Sequence, residues 1–202
     1  MDEFASTFIF FFAVIDPIGT VPVFLAVTAH YDRQLKRKIA LQATAISAVI
    51  LLFFIVVGEL ILTALGIPLS AFEVAGGVIL FLFSLTMIFG DGKPEEELKL
   101  THSSTEKAIF PLAIPSIASP GAILAAIMLT EKDRFHVTEQ LQTAFIMLLV
   151  LVVVLILLLC ASWIDKLIGK SGASVISRIM GIILSAVAIT SILSGIKNYY
   201  GL

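Results

Sequence analysis

The sequence predicts an all-α, polytopic membrane protein with six transmembrane helices, and two observations lead to this fold class. The 202 residues are 59% hydrophobic and 14% charged, with a mean hydropathy of +1.08, whereas soluble domains average about 45–50% apolar and about 25% charged residues. The apolar residues also form long blocks, and a block of about 18 or more residues with few charges indicates a membrane-spanning helix. Six such blocks occur, at approximately 5–28, 39–63, 71–90, 108–130, 141–163 and 174–196.

The first block is predicted to remain as a helix and not to be a cleaved signal peptide. Asp2 and Glu3 stand where a signal peptide carries basic residues, and no convincing small-residue cleavage motif follows.

Composition argues against several classes of partner. A net charge of −2 without a basic stripe does not favour nucleic-acid binding. Cys160 is the single cysteine, so no internal disulfide can form, and the three histidines fall in predicted loops without metal-ligand spacing. We therefore expect no cofactor and no metal site. The expected partners are the lipid bilayer and a small transported solute, with a proton or sodium as a possible coupling ion; the oligomeric state is not indicated.

The basic residues predict the orientation of the six spans. Ten of the thirteen follow the first, third and fifth spans, and three follow the fourth and sixth. Because cytoplasmic loops are enriched in Lys and Arg, the ten-residue side is assigned to the cytoplasm. This predicts a multi-pass protein of the cytoplasmic (inner) membrane with both termini outside.

Similarity between the two halves predicts an internal repeat. Asp16-Pro17-Ile18-Gly19 aligns with Ser119-Pro120-Gly121 at an offset of 103, and Gly76–Thr86 aligns with Met180–Thr190 at an offset of 104. The predicted organisation is a three-helix repeat over 1–90, a cytoplasmic connector over 91–107 and a second, inverted three-helix repeat over 108–202. Inverted repeats of this kind are typical of secondary transporters, whose binding site lies near the bilayer midplane.

Each repeat carries a helix start inside its first span. Asp or Ser at an N-cap followed by Pro at the first helical position is a favourable way to begin a helix. The first span is therefore predicted to break near Asp16-Pro17, and the fourth between Pro115 and Pro120. Irregular backbone at that depth is tolerated only where protein buries it or water reaches it, so both breaks should line an internal cavity.

The two breaks predict a site for a small zwitterion. The second half-helices would both begin near the midplane, where their unpaired N–H groups suit an anion such as a carboxylate. Gly19 and Gly121 would let a ligand approach the backbone, and Asp16 would meet an ammonium group or carry a proton. Two other interpretations stay open: Asp16 only caps its half-helix, and the prolines and glycines only shape helix packing.

Other polar residues of the spans are predicted to have ordinary roles. Glu59 and Glu73 flank a short outer turn and are assigned to the membrane interface, with proton handling as an alternative. Thr86 and Thr190 occupy matching positions of the two repeats. They are expected to serve packing between helices, with substrate contact as the alternative.

The sequence resembles the MarC family, also called the neutral amino acid transporter family and including the SnatA proteins. The resemblance rests on "IDPIGTVPVF" at 15–24 and "FPLAIPSIASPGAI" at 110–123, and it extends over essentially the whole chain. It implies an inner-membrane protein of two three-helix repeats that transports small neutral amino acids such as glycine and alanine.

The family motifs place the expected site on named positions. The first motif falls on Asp16, Pro17, Gly19 and Pro22, and the second on Pro115, Pro120, Gly121 and Ala122. Thr20, Ser119 and Leu124 depart from the residues that members often have there, which are Asn, Gly and Thr respectively. Because these departures adjoin the expected site, they bear on substrate choice more than on fold. The substrate-binding residues predicted are Asp16, Pro17, Gly19, Thr20, Ser119, Pro120, Gly121 and Ala122.

The predicted function is secondary transport of a small neutral amino acid by alternating access, and not an enzymatic reaction. No G-x-x-x-x-G-K-[ST] phosphate loop occurs, which argues against a built-in ATPase. An intramembrane enzyme that uses Asp16 as an acid would lack an evident catalytic partner. A structural or assembly protein and an exporter of another small polar metabolite stay open as alternatives.

Overall fold

Helices are the only regular elements in the part of the chain that the computed structural model describes, residues 2–29, 31–89, 108–130 and 136–201. The predicted all-α class is confirmed for these residues. The predicted connector 91–107 lies outside them. The helices are α1 (Asp2–Ile15), α2 (Pro17–Val27), α3 (Arg33–Ala64), α4 (Leu69–Phe89), α5 (Ala108–Ile117), α6 (Pro120–Met128), α7 (Val137–Leu159) and α8 (Ala161–Tyr200).

Within the described residues, five stretches of helix are long and apolar enough to cross a membrane. The predicted fourth span, 108–130, is not one of them, because it is divided into α5 with 10 residues and α6 with 9. Neither piece alone has the roughly 20 residues that a crossing needs. The five stretches are Phe4–Leu25, Arg33–Ala64, Leu69–Phe89, Val137–Leu159 and Arg178–Tyr200.

The last helix begins earlier than the sequence predicts. The sequence predicts a cytoplasmic loop between the fifth and sixth spans, but α8 runs through this stretch from Ala161. The stretch contains no proline, and its apolar residues Ile164, Leu167 and Ile168 recur at helical spacing. The charged residues of this stretch therefore do not mark the end of a helix.

Large apolar side chains cover the outer faces of the long helices. On α3, Val49, Phe53, Val56 and Leu60 follow one another at helical spacing, and Val56 is 67% exposed. Leu141, Phe145, Val152 and Ile156 form a similar face on α7. Apolar surfaces this extensive are unusual on soluble monomers and fit contact with lipid.

The first span lies at the centre of the bundle. In its most apolar window 65% of the residues are buried, against 22% in that of α3. The segment α1–α2 contacts α5, α6, α7 and α8. The residues around its break are therefore surrounded by protein.

Helices α4 and α8 pack closely and antiparallel through glycines. A β-carbon at Gly77 of α4 would lie 3.0 Å from the carbonyl oxygen of Ala188. A β-carbon at Gly195 of α8 would lie 2.7 Å from the carbonyl oxygen of Ser70. Small residues at such positions let two helix backbones approach, which is a common way of joining helices in membranes.

We expect Gly195→Ala to destabilise the protein, because the new methyl group meets the backbone of α4 and the two helices must separate. Overpacking of this kind costs about 1–3 kcal/mol. Ala186→Val is the control, since it also enlarges a small residue of α8 but at an exposed position. Thermal unfolding of the detergent-purified variants measures the effect. Equal melting temperatures for the two variants would contradict this packing.

Candidate functional site

The first helix break is a single residue, Asp16, between α1 and α2. Asp16 has φ 49°, and among the described residues it is the one non-glycine residue with positive φ. Asp tolerates this left-handed conformation because its short polar side chain can bond locally. The Asp16 N–H donates to the Phe12 carbonyl at 3.1 Å, and the Asp16 carbonyl accepts from the Thr20 N–H at 3.1 Å. The chain thus turns at one residue while hydrogen bonding continues on both sides of it.

The Asp16 carboxylate caps the start of α2. Its Oδ1 accepts a hydrogen bond from the Gly19 N–H at 2.9 Å, and the residue is 1% exposed. A β-carbon at Gly19 would overlap the Asp16 carboxylate. Glycine at position 19 therefore makes room for the Asp16 carboxylate. The sequence predicts that it makes room for a ligand.

The second break lies between α5 and α6, at Ala118 and Ser119. The N–H of Ala118 donates to the carbonyl of Ala113 at 2.8 Å, five residues back, and α5 has π-helical bonding throughout. Pro115 supplies no backbone N–H, which favours a departure from α-helical bonding around it. Pro115 itself is within α5, so the break is nearer to Pro120 than to Pro115.

Ser119 is the cap of α6 and also joins the two breaks. Its backbone is extended, and its Oγ accepts from the Ala122 N–H at 3.1 Å. The same hydroxyl donates to the carbonyl of Val14 at 2.8 Å. Val14 lies in the last turn of α1, so the carbonyl left free by the first break is bound by the residue that starts the second half-helix.

A second pair of hydroxyls connects the breaks. Thr20 Oγ1 lies 3.1 Å from Ser116 Oγ and also donates to the Asp16 carbonyl at 3.0 Å. Asp16, Thr20, Ser116 and Ser119 are all buried. We call these four residues the central junction. It brings together an acid, three hydroxyls and the N-termini of two helices.

The space beside Gly121 is filled by protein. A β-carbon there would overlap Leu80 of α4 and lie 3.6 Å from the β-carbon of Val14. Both glycines predicted to admit a ligand are thus closed by neighbouring side chains in this conformation.

The structure brings most of the predicted site residues together. Pro17, Gly19 and Thr20 are buried beside Asp16, and Gly121 and Ala122 are buried beside Ser119. Pro120 is the exception, since it is exposed at the surface of the bundle.

Sequence reasoning missed three residues around the breaks. Ser116 belongs to the central junction, and Leu80 packs against Gly121. Ser47 of α3 is the third: its Oγ lies 3.3 Å from the carbonyl of Ala113 and also donates to the Ala43 carbonyl. A lone serine within an apolar span is the one signal that points to Ser47, and it is weak because serines often bond to their own helix.

The remaining predicted polar positions lie elsewhere. Thr86 and Thr190 are exposed, and each bonds to a carbonyl of its own helix. The expected packing role between helices is therefore wrong for both.

Glu73 is buried against α8 and accepts a hydrogen bond from Asn198 at 3.4 Å, whereas Glu59 is partly exposed. Over the described ranges, no group of three His, Cys, Asp or Glu residues is arranged to hold a metal ion.

Two interrupted helices that bond to each other inside an apolar bundle define the class of the protein, a polytopic helical membrane protein with a buried polar junction. The model of the MarC family of integral membrane proteins matches residues 1–200. The chain belongs to the MarC family.

Relatives from both archaea and bacteria align along nearly their whole length. A UPF0056 membrane protein of Methanocaldococcus jannaschii is 34% identical over 201 residues, covering 98% of each chain. The UPF0056 membrane protein YhcE of Escherichia coli K12 is 31% identical over 198 residues, covering 96% of this chain and 91% of the relative. No solved structure matches.

We expect Ser119→Ala to destabilise the protein, because it removes the cap of α6 and the bond to the Val14 carbonyl. Loss of a cap costs about 0.5–2 kcal/mol, and a buried carbonyl left without a donor costs about 1–3 kcal/mol. Ser185→Ala is the matched control, since Ser185 bonds only to a carbonyl of its own helix. Thermal unfolding of both variants measures the difference. A loss no larger than that of the control would show that the breaks do not depend on Ser119.

Proposed function

We propose that this protein is a secondary transporter that carries small neutral amino acids, such as glycine and alanine, across the cytoplasmic membrane by alternating access. The observation that carries the proposal is the central junction, where two half-helices begin beside a buried acid. Discontinuous helices of this kind form the substrate sites of several transporter folds. The family resemblance of the two motifs points to the same substrates.

The contacts between helices support an inverted repeat. If α1, α2, α3 and α4 are paired with α5, α6, α7 and α8 in that order, several contacts between helices have a counterpart in which each helix is replaced by its partner. The contact of α3 with α5 corresponds to that of α7 with α1, and the contact of α2 with α8 corresponds to that of α6 with α4. This exchange is the pattern expected of two similar units related by a two-fold axis.

The glycine contacts of α4 and α8 support the same symmetry at the level of atoms. A β-carbon at Gly77 would lie 3.0 Å from the Ala188 carbonyl, and one at Gly181 would lie 3.0 Å from the Ser84 carbonyl. Adding 104 to Gly77 and Ser84 gives Gly181 and Ala188, the offset at which the sequences align. In this proposal α5 and α6 together form the fourth of six membrane crossings.

The chemistry of the junction suits a zwitterion. The first-turn N–H groups of Ile18 and Gly121 have no acceptor within their own helices, so they and the helix dipoles would bind the substrate carboxylate. Asp16 would bind the ammonium group or carry a coupling proton. Thr20 and Ser116 would supply hydroxyls to the same substrate. No catalytic step is needed for this role.

The closed packing beside Gly19 and Gly121 fits an occluded conformation. For a substrate to enter, Leu80 of α4 would have to move away from Gly121, and the two breaks would have to separate. Because α4 packs along α8, such a movement would shift one repeat against the other, which is how inverted-repeat transporters alternate access.

The proposed orientation places the beginning of α3 and the end of α7 at the cytoplasm. One cavity is lined by Arg33, Lys36 and Arg37 of α3 together with Leu158 of α7 and Trp163 of α8. The start of α3 and the start of α8 therefore lie at the same end of the bundle, as the positive-inside rule requires of two cytoplasmic segments. Ser6, near the start of the chain, lines a different cavity with Glu139 at the start of α7. In the proposed orientation this end of the bundle is the outer one.

We expect proteoliposomes containing the protein to take up radiolabelled glycine and alanine, with accumulation that depends on an imposed proton or sodium gradient. Empty liposomes and an excess of unlabelled amino acid are the controls. Absence of protein-dependent flux under every gradient would reject the amino-acid proposal.

We expect Asp16→Asn to abolish gradient-driven accumulation while the protein stays folded. Asn caps helices about as well as Asp, so the substitution keeps the cap and removes the charge. Asp32→Asn is the matched control, because Asp32 also caps a helix by accepting the Leu35 N–H but lies exposed at the start of α3. Unchanged flux in Asp16→Asn would show that Asp16 caps α2 and has no role in coupling.

We expect glycine and alanine to raise the melting temperature of the purified protein. A ligand that binds only the folded state at 100 times its Kd stabilises it by about 2.7 kcal/mol. Propionate lacks the ammonium group and ethylamine lacks the carboxylate, so neither should stabilise the protein at the same concentration. Equal stabilisation by all of them would argue against recognition of both charged groups.

A further inference from the structure

A basic cavity lies where α3 begins, beside the end of α7 and the start of α8. Its volume is about 470 Å³. It shares none of the four residues of the central junction. The residues that matter for its chemistry are Phe24, Tyr31, Arg33, Lys36, Arg37 and Trp163.

The three cations of the cavity share one face of α3. Residues three and four positions apart lie on the same side of a helix, which brings Arg33, Lys36 and Arg37 together. The neighbouring acid, Asp32, accepts the Leu35 N–H at 2.8 Å as the cap of the same helix. Three positive charges thus lie on one face of α3 at the wall of the cavity.

The other walls of the cavity are apolar and aromatic. Phe24 of α2 and Leu158 of α7 are almost completely buried behind it. Trp163 is 66% exposed and Tyr31 is partly buried, so the two rings lie at the outer part of the cavity. Trp and Tyr are enriched where a membrane protein meets the lipid headgroups.

We propose that this cavity binds the headgroup of an anionic phospholipid from the leaflet on that side of the membrane. The guanidinium groups of Arg33 and Arg37 would bind the phosphate oxygens in pairs, and Lys36 would add a point charge. The acyl chains would follow the apolar side chains next to the cavity. A zwitterionic phospholipid fits less well, because its own ammonium group would enter a space that already holds three cations.

Trp163 makes the proposal measurable, since it is the only tryptophan of the chain and lines the cavity. Proteoliposomes are prepared with lipids brominated near the headgroup end of their acyl chains, either phosphatidylglycerol or phosphatidylcholine, at equal mole fraction. Bromine quenches tryptophan fluorescence on contact. We expect stronger quenching of Trp163 by the anionic lipid than by the zwitterionic lipid.

Single substitutions test the residues of the cavity. Lys36→Gln should reduce the preference for the anionic lipid roughly fivefold, because a cation beside a bound anionic headgroup contributes a factor of about five to binding. Removal of all three cations of the cavity should reduce the preference further. Lys38→Gln is the matched control, since it removes the same charge from the same helix but Lys38 does not line the cavity. It should keep the preference.

Three results would overturn the proposal. Equal quenching by both lipids in the unsubstituted protein would reject an anionic lipid site without use of any variant. An equal loss in Lys36→Gln and Lys38→Gln would indicate attraction to surface charge in general. Relief of the quenching by inorganic phosphate would indicate that the cavity binds soluble anions instead of a lipid.

Discussion

The need to satisfy backbone groups inside an apolar bundle governs the centre of this protein. A helix that stops in mid-bundle leaves carbonyls at one end and N–H groups at the other, and no bulk water is present to bind them. Ser119 meets both needs with one hydroxyl, since it accepts from the Ala122 N–H and donates to the Val14 carbonyl. Asp16 meets the need at α2 through the Gly19 N–H. The two breaks are therefore stable because they lie against each other.

This mutual dependence explains the residue types around the junction. Asp16 adopts a left-handed conformation, and its carboxylate needs the room that Gly19 leaves open. Gly121 in turn makes room for Leu80, which brings α4 against the start of α6. Replacing one of these residues would disturb the fit of the others. The two motifs around Asp16 and Gly121 therefore have a structural role in this conformation. Contact with a substrate would be a further role.

Much of this arrangement could be predicted from local chemistry, and the rest depended on neighbours in space. Asp-Pro and Ser-Pro identify helix starts because capping and the missing proline N–H act within a few residues. The bond from Ser47 to Ala113 was not predictable, because it depends on how α3 packs against α5. The exposed position of Pro120 has a similar origin, because it depends on which side of α6 meets another helix.

The symmetry of the contacts bears on how the molecule would move. In the matched contacts, Gly77 meets Ala188 and Gly181 meets Ser84, so α4 and α8 present the same surface to each other. The junction lies between the two halves. The proposed transport by alternating access requires the two repeats to move around a central polar site, and the α4–α8 contact is the surface along which they would move.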